Sequence, residues 1–228
     1  MWDDALVILG AYLLGAFPVV YLLGRLRGVD LSKEEDMHIS LWRKVGRREG
    51  FIGIMWDVVK GGVAVVIMDR CSDYGSGTVA GVGLAVVVGL MWSIFLKGRG
   101  EKANTTSLGV SAALSYEALP FLFGPILLGV CIRTLPRFLA PGQSMSKRLK
   151  FGGPPSLSLP LGMFFGFGLF PLGCWIMDQP WETVMVTAII FVLIVIKRVT
   201  AGLREDLATA TNKKIILINR ALFDRSYI

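Results

Sequence analysis

The residues best suited to chemistry lie where two apolar stretches meet, in GLMWSIFLKGRGEKANTTSLG at residues 89–109. A long hydrophobic run stops there, the loop Gly98, Arg99, Gly100, Glu101 and Lys102 follows, and a second apolar run begins after Asn104, Thr105 and Thr106. Asn and Thr favour helix caps, and a helix N-terminus offers unpaired amide N–H groups with a partial positive charge. A glycine-rich basic loop feeding such a terminus suits a phosphate, because backbone donors and two cations converge on it. A Lys/Arg pair beside a membrane span also serves simply as a cytoplasmic anchor. A second pair, Asp57 and Lys60, stands three residues apart on one helix face inside an apolar segment. Each such charge costs roughly 2.5 to 3.5 kcal/mol at the centre of a bilayer, so the two must pair with each other or with groups inside the bundle. A structural ion pair and a role beside a substrate both fit. His38 is the single histidine, either an exposed loop residue or a general base.

The elements that position these groups are membrane helices. In 228 residues, 54% are hydrophobic and 18% charged, with mean hydropathy +0.61, which excludes an ordinary soluble domain and predicts an all-α, polytopic integral membrane protein. The net charge of +7 is then a matter of topology, and no aromatic-rich basic groove argues for nucleic acid. Cys71, Cys131 and Cys174 lack the spacing of a metal site or disulfide framework and read as buried apolar thiols. The start MWDD carries no basic region before its apolar run, so the first span is expected to be retained.

With about 20 apolar residues needed per crossing, spans are predicted at 5–24, 51–68, 77–96, 157–177 and 183–198. The stretch 105–132 is long for one crossing and short for two, with Glu117, Pro120 and Pro125 interrupting it. Charge decides. If 105–132 turns back near Glu117, every basic loop shares one side, whereas the other holds Asp3, Asp4, Asp69, Asp73, Glu117, Asp178 and Glu182 against Arg70 alone. The expectation is seven membrane helices, two of them short, with the N-terminus outside and the C-terminus cytoplasmic. Residues 1–204 form the bundle. Residues 205–228 form a basic amphipathic cytoplasmic tail around Ile215, Ile216, Leu217, Ile218, Leu222 and Phe223, and 136–155 is a long irregular connection.

Over residues 9–109 the chain resembles the bacterial acyl-phosphate-dependent glycerol-3-phosphate acyltransferase family. Pro18, Tyr21, Gly24 and Asp30 match its opening helix, and Arg43, Gly46 and Gly50 in WRKVGRREG match the close of its first cytoplasmic motif. Asp57, Lys60 and Gly61 match its Asp-x-x-Lys-Gly. Gly89, Trp92, Phe95, Arg99, Gly100, Lys102, Thr106 and Gly109 fall at the spacing of its second cytoplasmic motif. The departures are specific. SKEEDMHIS replaces a Gly- and Ser-rich phosphate loop, with Ser32 or Ser40 as possible stand-ins. Leu90 and Ser93 stand for a His and a Pro, and Glu101 brings a negative charge into the second loop. KRVTAGLR keeps Arg204 but offers Arg198 and Ala201 for a His and an Asn.

The resemblance implies a multi-pass protein of the cell inner (plasma) membrane that moves an acyl chain from acyl phosphate to glycerol 3-phosphate, without a cofactor or metal and among membrane lipids. Arg43, Arg99 and Lys102 are then the phosphate-binding cations, helped by Gly100, Thr105, Thr106 and Ser40, with Lys102 and His38 catalytic and Asp57–Lys60 a structural pair. The altered motifs also admit a descendant that no longer catalyses and binds a lipid or an anionic headgroup. The sequence leaves the oligomeric state open.

Overall fold

The computed structural model describes residues 2–32, 34, 36–71, 73–139, 141–142, 157–209 and 212–224. Among these it contains eleven α-helices and no strand. They are α1 (Trp2–Ala16), α2 (Val19–Leu26), α3 (Met37–Lys44), α4 (Arg47–Cys71), α5 (Ser76–Met91), α6 (Asn104–Leu114), α7 (Leu119–Leu139), α8 (Ser158–Ile176), α9 (Trp181–Thr200), α10 (Leu203–Thr209) and α11 (Lys213–Phe223). Residues 140, 143–156 and 225–228, and with them most of the 136–155 connection and the end of the tail, lie outside the described residues. The side chains of Cys71, Arg137 and Arg204 do too.

Among the described residues, six stretches are long and apolar enough to cross a membrane: Asp3–Leu26, Arg47–Arg70, Ser76–Leu96, Leu119–Pro136, Ser158–Ile176 and Trp181–Thr200. The first is broken at Phe17 and Pro18, since proline has no amide to donate and disfavours helical backbone before it. The stretch 105–132 does turn at 115–118, but into unequal halves. α6 has 11 residues, roughly 16 Å of helix and less than a bilayer core, whereas α7 has 21.

Small residues hold the helices together, as expected where apolar surface gains nothing by leaving lipid. A side chain added at Gly15 on α1 would begin 2.1 Å from the Val86 carbonyl of α5. At Gly109 on α6 it would begin 1.9 Å from Val58 on α4, and at Gly162 on α8, 2.5 Å from Pro125 on α7. These backbone contacts make the pairs α1–α5, α4–α6 and α7–α8, and α9 packs against α5 and α8. Val87, Met91, Val110, Leu122, Phe170 and Ile194 belong to the main core, while Leu9, Val59, Leu128, Phe165 and Val192 face outward, where lipid would cover them. Cys174 is buried as expected. Cys131 is instead exposed, because it sits on the outer face of α7.

Acidic groups collect at one end. Thr78 donates to Asp4 (2.9 Å), Gln179 donates to Glu117 (2.7 Å), and Asp69, Arg70, Glu117 and Gln179 line a cavity of about 340 Å³. The tail helix α11 docks on α8 and α9 with a polar face inward: Asn219 and Arg220 are buried, Arg220 gripping Asp206 and the Ala201 carbonyl, whereas Ile215, Leu217 and Ile218 are exposed. Half of the apolar stripe read from the sequence therefore points away from the bundle, Ile216, Leu222 and Phe223 being half-buried, because Arg220 finds its partners inside it.

Candidate active site

The site is built at the end opposite the acidic cavity. α3 starts where the Asp36 side chain accepts from the Ile39 amide (2.9 Å), and it buries Met37 and Leu41 against Val20 and Leu31. That packing carries His38 to α4 and to the loop after α5. His38 Nε2 lies 2.9 Å from Asp57 Oδ2 and 3.0 Å from Glu101 Oε2. Asp57 Oδ1 lies 2.7 Å from Lys60 Nζ, which also donates to the Gly15 carbonyl (3.2 Å). The ion pair expected three residues apart is thus formed, with both side chains 1% exposed.

Burial opposes the charged imidazolium of His38, but the neighbouring Glu101 charge and the hydrogen bond to Asp57 outweigh it and push its pKa up to about 9. Burial also raises Glu101, to about 8, against the attraction of His38. A group that keeps its proton at neutral pH is a donor before it is a base. His38 Nδ1 is buried without a partner, facing the space that Gly53 leaves beside it. His38, Asp57 and Glu101 place donor atoms within 4.8 Å of one another, a combination that can hold a divalent ion, although the Lys60 ammonium already supplies positive charge there.

The sequence puts the Glu101 charge in the loop expected to hold an anion. It turns instead into the bundle toward His38, whereas Lys102 reaches the end of α11. Gly100 makes this possible: a side chain there would begin 2.0 Å from the Leu90 carbonyl, whose oxygen accepts from the Glu101 amide (3.3 Å). Ala103, in left-handed conformation (φ 57°), then precedes α6, and no side chain caps the helix. The caps expected of Asn104, Thr105 and Thr106 are not made, because all three fall within the helix. Asn104 meets Arg198 Nη2 (3.5 Å), and Thr106 is fully buried against Gly61 of α4 with its hydroxyl unpartnered.

The open N-terminus is not empty of charge. Lys102 Nζ lies 2.7 Å from Asp224 Oδ1, at the end of α11. Arg198, 1% exposed, donates to the Pro160 carbonyl (3.2 Å), and its Nε has no partner. Lys197 donates to the Met91 carbonyl (2.6 Å) and lies over the Trp92 ring. Arg43 and Arg99 are exposed and have no protein partner among the described residues. The Ser40 hydroxyl is committed to Glu34 (2.7 Å), which Lys44 also pairs (2.6 Å). The sequence reading missed Glu101 as a partner of His38, and Asp224 altogether. Glu101 gave a signal, a carboxylate next to a lysine in the working loop. Asp224 gave none.

The chain matches the family model described as Glycerol-3-phosphate acyltransferase over residues 5–205. It is 32% identical to a glycerol-3-phosphate acyltransferase of Trichlorobacter lovleyi, over 69% of this chain and 76% of that one. It is likewise 32% identical to one of Prochlorococcus marinus, over 72% and 78%. In fold it is similar to the crystal structure of PlsY, an integral membrane glycerol 3-phosphate acyltransferase. For the lysophosphatidic acid form the TM-score is 0.68 at 21% identity, covering 91% of this chain and 93% of that one. The glycerol 3-phosphate form gives 0.68 at 22% identity, covering 90% of each.

Proposed function

This chain belongs to the glycerol-3-phosphate acyltransferase family, and from that premise we propose that it transfers an acyl chain from acyl phosphate to a hydroxyl of glycerol 3-phosphate, giving lysophosphatidic acid for phospholipid synthesis. An ester C–O bond forms, the bond from acyl carbon to phosphate oxygen breaks, and the hydroxyl proton leaves with the phosphate. The donor is already activated, so the protein has to hold two phosphates and stabilise charge at the attacked carbonyl.

One observation carries the reading: a carboxylate oxygen already sits 2.7 Å from Lys102 beside an uncapped helix N-terminus. Lys102, Gly100 and the first turn of α6 with Thr105 receive one phosphate there. Arg43 and Arg99, exposed and uncommitted, close on the other, Arg being suited to bidentate contact. His38 acts as a buried cation that holds Glu101, and with it the course of the loop carrying Lys102, rather than as the base its type suggested, because Asp57 and Glu101 hold its proton. Thr106 serves packing, and Ser40 positions Glu34.

Residues 1–204 make the membrane bundle and 205–228 the tail. Counting α6, seven helices lie in the cell inner membrane, the N-terminus outside and the basic loops with the C-terminus in the cytoplasm. The one-sided charge supports this. A second reading, an anion-binding descendant without catalysis, is favoured by the commitment of the Ser40 hydroxyl to Glu34.

Acyl transfer by the purified protein in nanodiscs, with palmitoyl phosphate and labelled glycerol 3-phosphate, tests the proposal beside Lys102→Ala. We expect product from the parent and a loss of about 10²–10³ in kcat/KM in the variant, the size seen when one preorganised charge-stabilising donor is removed. A parent that makes no product leaves the binding reading.

A further inference from the structure

Resting on the phosphate-site reading above, we infer that Arg198 completes the oxyanion subsite of Lys102 and the α6 N-terminus, and that Asp224 is its resident occupant, a carboxylate that substrate phosphate must displace. The family match ends at residue 205, so α11 and Asp224 lie outside the matched residues. That segment nevertheless reaches back to Lys102, at 2.7 Å, with both side chains largely buried (11% and 16% exposed).

Three features show a built site. Asp224 follows directly on α11 in left-handed conformation (φ 59°), which turns the chain off the helix axis. α11 is moored by Arg220, through Asp206 and the Ala201 carbonyl, so the carboxylate does not hang on a loose tail. On the receiving side, the α6 terminus is uncapped, and Arg198 reaches Asn104 in its first turn. Arg198 is 1% exposed, its guanidinium contacts are a backbone carbonyl and an amide oxygen, and its Nε has no partner. A buried guanidinium in contact with no carboxylate among the described residues wants an anion nearby, and Asp224 acts on it electrostatically.

A carboxylate carries one negative charge, whereas a phosphate carries up to two and more acceptor oxygens, so phosphate gains more from Lys102, Arg198 and open amides than Asp224 does. The tail thereby keeps the subsite screened when substrate is absent and sets a threshold phosphate concentration for entry. Removing the internal competitor raises apparent affinity by the reciprocal of the fraction of time the site stood open, about tenfold where Asp224 filled it roughly nine-tenths of the time.

The test is binding of inorganic phosphate to the full-length protein in nanodiscs, read by calorimetry and so independent of catalysis, with sulfate as a second anion. Asp224→Asn, which keeps the shape and removes the charge, is expected to bind phosphate about tenfold more tightly than the parent. Lys102→Ala and Arg198→Gln, each made in the Asp224→Asn background, are expected to abolish the gain. In the parent, saturating phosphate is expected to speed amide hydrogen exchange across residues 213–223. Equal or weaker binding by Asp224→Asn, or exchange in α11 unmoved by saturating phosphate, overturns the proposal. If phosphate binding behaves as expected while acyl transfer fails, the acyltransferase reading falls and the tail-occupied anion site stands.

Discussion

His38 Nε2 meets Asp57 at 2.9 Å and Glu101 at 3.0 Å, and a single N–H cannot serve two carboxylates at full strength. Protons are therefore held tightly in this cluster. His38 rises from 6.5 to about 9, and Glu101 from 4.5 to about 8. Both groups bind their protons more strongly folded than unfolded, so stability is withdrawn as pH rises. The His38 contribution is complete below pH 6.5 and gone above about 9, and that of Glu101 fades between 4.5 and about 8. Melting temperature in detergent should fall between pH 6.5 and 9. Glu101→Gln removes both the buried titrating carboxyl and the charge that does most to raise His38. It should flatten that fall by at least about 3 °C, the shift that roughly 1 kcal/mol produces in a chain of this length. An unchanged slope in Glu101→Gln would place the proton elsewhere. Acyl transfer by the parent should decline as pH passes about 9, since His38 then loses the charge that holds Glu101 and the loop beside it. A rate that instead climbs through that range identifies His38 as a base.

The loop from α5 to α6 works by close approach and an unusual backbone. Gly100 touches the Leu90 carbonyl, and Lys97 and Ala103 are both left-handed, at φ 56° and 57°. A non-glycine residue costs of order 1 to 3 kcal/mol in such a sparsely populated conformation and persists only where the surroundings enforce it. Gly100→Ala should therefore displace Glu101 and Lys102 together and cost acyl transfer tenfold or more, with helix content by circular dichroism unchanged. Gly98→Ala, where nothing lies within 4 Å of the new side chain but φ is +76°, should cost less. Wild-type transfer by Gly100→Ala would show that the loop does not need its present course. This element also marks how far the sequence could be read. The apolar runs, the Asp57–Lys60 spacing and the turn at 115–118 were legible because hydrophobic length, helical period and charge are local or additive signals. The caps were not, because Ala103 takes the cap position only once Glu101 has turned inward to His38, 63 positions away in the chain. The contact between Lys102 and Asp224 spans still more sequence and depends on where α11 docks.

At the scale of the whole molecule, the two ends of one bundle differ in charge, one nearly without bases and the other rich in them. Asp4, Asp69, Glu117 and Gln179 lie at one end, and His38, Lys102, Arg198 and Asp224 at the other. If soluble phosphate substrates come from the cytoplasm, the second end must face it, which is what 22 of the 24 Lys and Arg require when the basic loops are counted on one side. The odd number of crossings this demands depends on α6, whose 11 residues are too short to span the bilayer core alone. Its place is nevertheless fixed by Gly61 and Gly109, where α4 and α6 meet backbone to backbone, so α6 is held inside the bundle by protein rather than by lipid. Labelling from one side decides the arrangement. In intact cells, with Cys131 replaced by Ser, a cysteine at Glu117 should react with a membrane-impermeant maleimide, and one at Arg99 only after permeabilisation. The reverse pattern would invert the bundle and put Lys102 on the wrong side of the membrane for a cytoplasmic substrate. Reaction at both positions in intact cells would mean that α6 does not carry the chain across, and that the break at 115–118 lies on the same side as the loop it was thought to oppose.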